Sequence, residues 1–228
     1  MKDEARHTHA LCARMRECVK PENDGRLRGQ DVTLMKMIKK IEPAEMIWRW
    51  ARGEVDSPEF FPAEDSYRRE VREKLEQNDP VLNKKGVSAF IKRSRRGVGP
   101  ISLSEKWTWY LASLTISAKE FASLYTNDDV KWRRYTNNTL RLIDAAGFLA
   151  GYPGEDRRID GILGKLTCDC YVNSSGITLL KRDNGDGYDI EEGNGRLAAI
   201  CIHYLIRKAN EPRLSEIDVV VGLPRVRA

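Results

Sequence analysis

The sequence predicts an α+β fold, with a helical N-terminal and middle region followed by a small mixed β-hairpin–helix–strand unit. Three observations carry this reading. Apolar residues recur at three- and four-residue spacing through most of the chain before Gly154. After it, "GITLLKRDNGDGYDIEEG" sets two short strand-like runs, Ile177 to Leu180 and Tyr188 to Ile190, on either side of the turn-rich "RDNGDG". The chain then offers a dense apolar run, "RLAAICIHYLIRKAN", closed by Arg207 and Lys208 with Pro212 behind, and finally "EIDVVVGLP", which reads as a buried strand.

In chain order, "RHTHALCARMRECV" and "DVTLMKMIKKI" read as helices. The aromatics of "MIWRWARGEVDSPEFFP" suggest a docking segment. "PAEDSYRREVREKLEQN" reads as an exposed, charge-dense helix that begins at Pro62. The basic, breaker-rich "IKRSRRGVGP" then marks a boundary, so residues 1–100 form a charged helical region. In residues 101–160, "ISLSEKWTWYLASL" reads as a helix capped by Ser102 or Ser104. "SAKEFASLY" follows, and then "NDDVKWRRYTNNTLRLIDAAGFL", capped by Asn127 or Asp128 and ended by Gly147. Residues 161–228 form the α/β unit.

A net charge of +5 with a pI near 8.9 permits nucleic acid or nucleotide partners without demanding them. Five cysteines, an odd number, and a charged opening stretch are expected of a reducing, cytoplasmic setting. No apolar run is long enough to span a bilayer, so no membrane partner is expected. The sequence contains neither a Gly-x-x-x-x-Gly-Lys-Ser/Thr loop nor His-Glu-x-x-His.

The chemistry concentrates where the second strand-like run meets the helix. Gly193 and Gly195 let a ligand approach the backbone, and the helix start offers unpaired N–H groups to an anion. Arg196 adds a planar cationic fork suited to phosphate. Glu191 and Glu192 would repel that phosphate unless they hold a metal ion or serve as a base. The same residues equally suit a tight turn with solvated charges.

Two families share this pattern. The stretch "ITLLKRDNGDGYDIEEGNGRLAAICI" resembles the core of the ParB/sulfiredoxin-like superfamily, in which a hairpin strand leads through an acidic-Gly-x-x-Arg turn into a small-residue helix. That resemblance implies a nucleotide or phosphate site at Gly193, Asn194, Gly195 and Arg196, with nucleoside triphosphate and Mg2+ as the cofactor. It also implies DNA as a partner, and hydrolase or phosphotransferase chemistry if the site is catalytic. Glu191, Glu192 and Tyr188 are the candidate catalytic residues. "YDIEEGNGR" also resembles the Fic adenylyltransferase signature, with Tyr188 at the place of its catalytic His and Ala199 at that of its second Arg. This second resemblance implies a site that keeps phosphate binding and has lost AMP transfer.

Two basic clusters are candidate nucleic-acid contacts. One is Lys92, Arg93, Arg95 and Arg96; the other is Lys131, Arg133 and Arg134. The second sits in "TISAKEFASLYTNDDVKWRRYTNNTLRLIDAAGFLAGYPGEDRR", which resembles a winged helix-turn-helix ending in a basic hairpin, and implies a non-enzymatic DNA-binding regulator as a third function. A solvated basic face on a helical bundle explains the same charges. His7, His9 and Cys12 lack an obvious fourth ligand, and no metal site is assigned.

Overall fold

The computed structural model describes residues 35–57, 66–77, 79–93, 106–168, 174–183, 185–207 and 214–225. Eight α-helices and six strands lie among the described residues, and the α+β class stands. No helix among them is long and apolar enough to cross a membrane.

The first described element is a strand. β1 (Met35–Ile41) lies where the spacing of "DVTLMKMIKKI" predicted a helix. Its register shifts between Met37 and Lys39, so Ile38 is squeezed out to solvent while Met35 and Ile41 stay buried. The bulge turns a two-residue alternation into a spacing that mimics a helix.

Three helices follow: α1 (Pro43–Glu54), α2 (Ser66–Glu76) and α3 (Pro80–Arg93). They bury Trp50, Val71, Leu75 and Phe90 in a cluster of their own. The part of the aromatic segment that carries Trp48 and Trp50 is therefore helix α1, while Phe60 and Phe61 lie outside the described residues; Trp48 donates to the Leu75 carbonyl on α2 at 2.8 Å.

"WTWYLASLT" is β2 (Trp107–Thr115), not the expected helix. It pairs with neighbours on both sides and buries both faces, so it reads as a continuous apolar run without alternation. The expected caps Ser102 and Ser104 lie outside the described residues.

The middle region continues with α4 (Ala118–Phe121), β3 (Leu124–Tyr125), α5 (Val130–Thr136), α6 (Leu142–Gly151) and α7 (Arg157–Thr167). The long helix expected from "NDDVKWRRYTNNTLRLIDAAGFL" is two, α5 and α6. Asn137 ends α5 in the left-handed region at φ 50°, and Asn138 and Leu140 also have positive φ. Asp129 caps α5, not Asn127 or Asp128, and Gly147 lies within α6 instead of ending it. The stretch around "GEDRR" is the capped start of α7, where the winged-helix reading placed a basic hairpin.

The hairpin is present as β4 (Thr178–Lys181) and β5 (Tyr188–Glu192). The apolar run forms α8 (Asn194–Ile200), which continues directly into a π-helical turn from Cys201 to Ile206. β6 (Glu216–Pro224) closes the described chain.

All six strands join one sheet in the order β1-β2-β6-β4-β5-β3, drawing on all three sequence regions. β4 pairs in parallel with β6, as does β3 with β5; the other three pairings are antiparallel. On β6, Ile217, Val219 and Val221 enter the main core with Leu142, Ile159, Leu197 and Ile200. Val220 faces the other way and packs with Trp109, Leu180 and Met46 of α1. Helices therefore cover both faces of the sheet, and the β5–α8 junction lies where α7 and the end of α1 also meet.

Candidate anion site at the junction of β5 and α8

A single residue, Gly193, joins β5 to α8. Its φ of 97° is one that L side chains rarely adopt, and a Cβ there would lie 2.8 Å from Ile177 Cγ1. Glycine at this position is thus a requirement of the backbone. Asn194 follows and is buried; its Nδ2 donates to the Ile190 carbonyl at 3.2 Å, and its Oδ1 accepts from the Asn127 N–H at 3.3 Å. The side chain is spent tying β5 to the loop before α5. Gly195 differs from Gly193, because a Cβ there would meet only Ile159 Cγ1 at 3.5 Å, an ordinary contact. Nothing in the packing explains why this residue is glycine.

Beside Gly195 opens a cavity of about 140 Å³. The turn from Glu192 to Gly195 forms one wall. Asn127, Asp129, Lys131 and Trp132 form a second, and Asp156, Arg158 and Ile159 a third. Three helices therefore begin at this cavity. Two starts are occupied by carboxylates: Asp129 accepts from the Trp132 N–H at 2.9 Å, and Asp156 accepts from Arg158 and Ile159 N–H groups at 3.1 and 3.3 Å. The third, α8, has no side-chain cap.

The lining carries both signs of charge. Lys131 Nζ lies 2.6 Å from Asp156 Oδ2 and is 46% exposed. Arg158 is 29% exposed, and its Nη2 reaches Glu54 Oε2 only at the long distance of 3.5 Å. Against these two cations stand three carboxylates, Asp129, Asp156 and Glu192.

Of the expected phosphate ligands, the structure brings Gly193, Asn194 and Gly195 to the cavity wall and takes Arg196 elsewhere. Arg196 is buried, 6% exposed, with Nη2 on Glu54 Oε1 at 2.5 Å and Nη1 on the Gly53 carbonyl at 3.2 Å. Its guanidinium lies against two glycines: a Cβ on Gly53 would fall 2.7 Å from Nη1, and one on Gly176 would fall 3.1 Å from it. The side chain that a local reading of the first helical turn sends to solvent instead joins α8 to the end of α1.

Glu192 lines the cavity; Glu191, at the register shift between β4 and β5, does not. Burial raises the Glu191 carboxyl above its ordinary range, and neighbouring Asp189 adds to the effect. Tyr188 is buried at the far end of β5, with Lys181 Nζ 4.9 Å from its ring centre. It does not line the cavity.

Of the basic clusters, Lys92 is an exposed residue near the end of α3. The side chain of Arg93, and Arg95 and Arg96 altogether, lie outside the described residues, as do His7, His9 and Cys12. Lys131, Arg133 and Arg134 project from α5 at 46, 52 and 62% exposure, each matched by an acid: Asp156, Asp128 and Glu155 respectively. Among the described residues no three His, Cys, Asp or Glu side chains gather as a metal site.

Sequence reading did not find Arg158, Asp129, Asp156 or Glu54. The aspartates carry a usable signal, an Asp just ahead of a helical run. Glu54 carries none, because it lies 142 residues from the arginine it pairs with. No family model, curated protein or solved structure matches this chain.

Proposed function

We propose that the cavity binds the phosphate of a nucleotide together with Mg2+, and that the chain acts on or regulates DNA as a ParB-like nucleotide-binding protein. One observation carries the reading: the uncapped start of α8 opens onto a cavity that already holds Lys131 and Arg158, beside a glycine the fold does not require.

The lining sums to one net negative charge, so a phosphate dianion arriving alone meets repulsion. A divalent cation carried with the ligand reverses that balance. Mg2+ is usually held by one or two carboxylates together with ligand phosphates, and the presence of Glu192 in the cavity wall supports this reading. In this reading Lys131 and Arg158 are the cations that meet the phosphate, while Arg196 holds the turn. Any hydrolysis or phosphoryl transfer rests on Glu192, the one glutamate of the β5–α8 turn on the cavity side. DNA would lie along α5, which carries three exposed cations, Lys131 at the cavity wall with Arg133 and Arg134 beyond it.

Gly195→Ala tests the reading. The added methyl group meets only an ordinary contact with Ile159, and alanine is the better helix former by roughly 0.5–1 kcal/mol. Stability should hold or rise, while calorimetric titration with nucleoside triphosphate and Mg2+ should show weakened binding. A wild type that binds no nucleotide, or a variant that binds it equally well, defeats the proposal.

A further inference from the structure

Glu54 is 1% exposed, and it faces two arginines with its two oxygens. Oε1 is committed to Arg196 at 2.5 Å, and the Arg196 guanidinium is enclosed between Gly53 and Gly176. Oε2 is 3.5 Å from Arg158 Nη2, at the outer limit of a hydrogen bond. Arg158 therefore reaches Glu54 while it also lines the cavity. The two arginines differ in exposure: Arg196 is buried, whereas Arg158 is nearly a third exposed.

We infer that Glu54 is an internal competitor for the ligand anion, a positioning residue that draws Arg158 away from the cavity and so sets the affinity of the site. The inference rests on the phosphate-binding reading of the cavity. An anion bound to Arg158 on its open side stands across the guanidinium from the Glu54 carboxylate, and the two negative charges share one cation. Arg196 cannot replace Arg158, because leaving its place would strand a buried carboxylate. The end of α1 therefore regulates the site through charge: moving Glu54 away releases Arg158 to the ligand.

The sign of the effect separates competition from plain structural support. Glu54→Gln keeps an acceptor for Arg196 and removes the charge. Giving the anion an Arg158 guanidinium it no longer shares with a carboxylate, together with loss of the nearby negative charge, changes anion affinity by roughly 5- to 30-fold. Inorganic phosphate with Mg2+, titrated calorimetrically into the full chain, should therefore bind roughly 5- to 30-fold more tightly to Glu54→Gln than to wild type. Glu54→Asp, which keeps the charge and withdraws it by one methylene, should also bind more tightly. In an Arg158→Met background the gain from Glu54→Gln should shrink, because only the direct repulsion between the Glu54 charge and the anion remains to be relieved.

Phosphate bound equally or more weakly by both Glu54 variants overturns the inference, and so does an undiminished gain in the Arg158→Met background. In either case the phosphate-binding reading survives, because wild type still binds. If wild type and both Glu54 variants bind no phosphate, both fall together.

Discussion

Replacing Arg196 with alanine should damage the fold more than any other single change at the β5–α8 turn. The guanidinium makes two contacts across the interface with α1, to Glu54 Oε1 and the Gly53 carbonyl. Its removal leaves Glu54, 1% exposed, with Arg158 at 3.5 Å as its remaining cation among the described residues, and opens a space between Gly53 and Gly176. Breaking one side of a buried ion pair costs about 3–5 kcal/mol, a large part of the 5–15 kcal/mol that holds a domain together. For a chain of this size each kcal/mol lowers the melting midpoint by roughly 2–4 °C, so a loss of roughly 6–20 °C is expected. The double variant Glu54→Leu with Arg196→Met removes both charges and should melt much closer to wild type, since apolar replacement of a buried pair is often neutral. Thermal melts followed by circular dichroism compare the three proteins. An Arg196→Ala protein that melts within about 2 °C of wild type would show that the Glu54–Arg196 pair does not hold α1 to α8.

Further outcomes follow from other sites. Glu120 is 9% exposed, and burial pushes its carboxyl from 4.5 up to about 7 against opposing hydrogen bonds from Thr115, with Glu216 nearby raising it further. The folded state therefore holds this proton more tightly than the unfolded chain. Stability should be greatest below pH 4.5 as far as this group is concerned, fall between 4.5 and 7, and level off above; Glu120→Gln should remove that fall in urea titrations across the range. Gly193→Ala combines a positive φ with a Cβ 2.8 Å from Ile177 Cγ1 and should destabilise by about 1–3 kcal/mol, unlike Gly195→Ala. If α5 contacts duplex phosphates, replacing Lys131, Arg133 and Arg134 together by alanine should flatten the log–log dependence of duplex affinity on salt by roughly 2–3. An unchanged slope places any DNA contact elsewhere.

The hairpin, α8 and β6 were legible because their signals are local. "RDNGDG" supplies turn residues, the apolar run from Leu197 to Ile206 is closed by Arg207 and Lys208 as a helix end is, and "IDVVV" is rich in β-branched residues. β1 and β2 were misread for physical reasons that differ. Ile38 interrupts the alternation of β1 by bulging outward, and β2 has no alternation to show because neighbours cover both its faces. The break between α5 and α6 was signalled by Asn137 and Asn138, which tolerate the left-handed conformation. The site was legible in its backbone but not in its charges. Gly193, Asn194 and Gly195 announce a turn at a helix start, whereas Glu54 and Arg158 reach Arg196 and the cavity only through packing of distant segments. Arg196 followed the ordinary expectation for a first-turn residue until the glycines at 53 and 176 provided a place for its guanidinium.

In the proposed function the cavity at the start of α8 receives a nucleotide phosphate. A crystal of the full chain grown with nucleoside triphosphate and Mg2+ tests it most directly. Density for a phosphate is expected against the backbone at Asn194 and Gly195, with Lys131 and Arg158 turned toward it, Mg2+ beside Glu192, and Arg196 still on Glu54. A nucleotide bound only elsewhere, or an Arg196 that has left Glu54 to hold the phosphate, would contradict it.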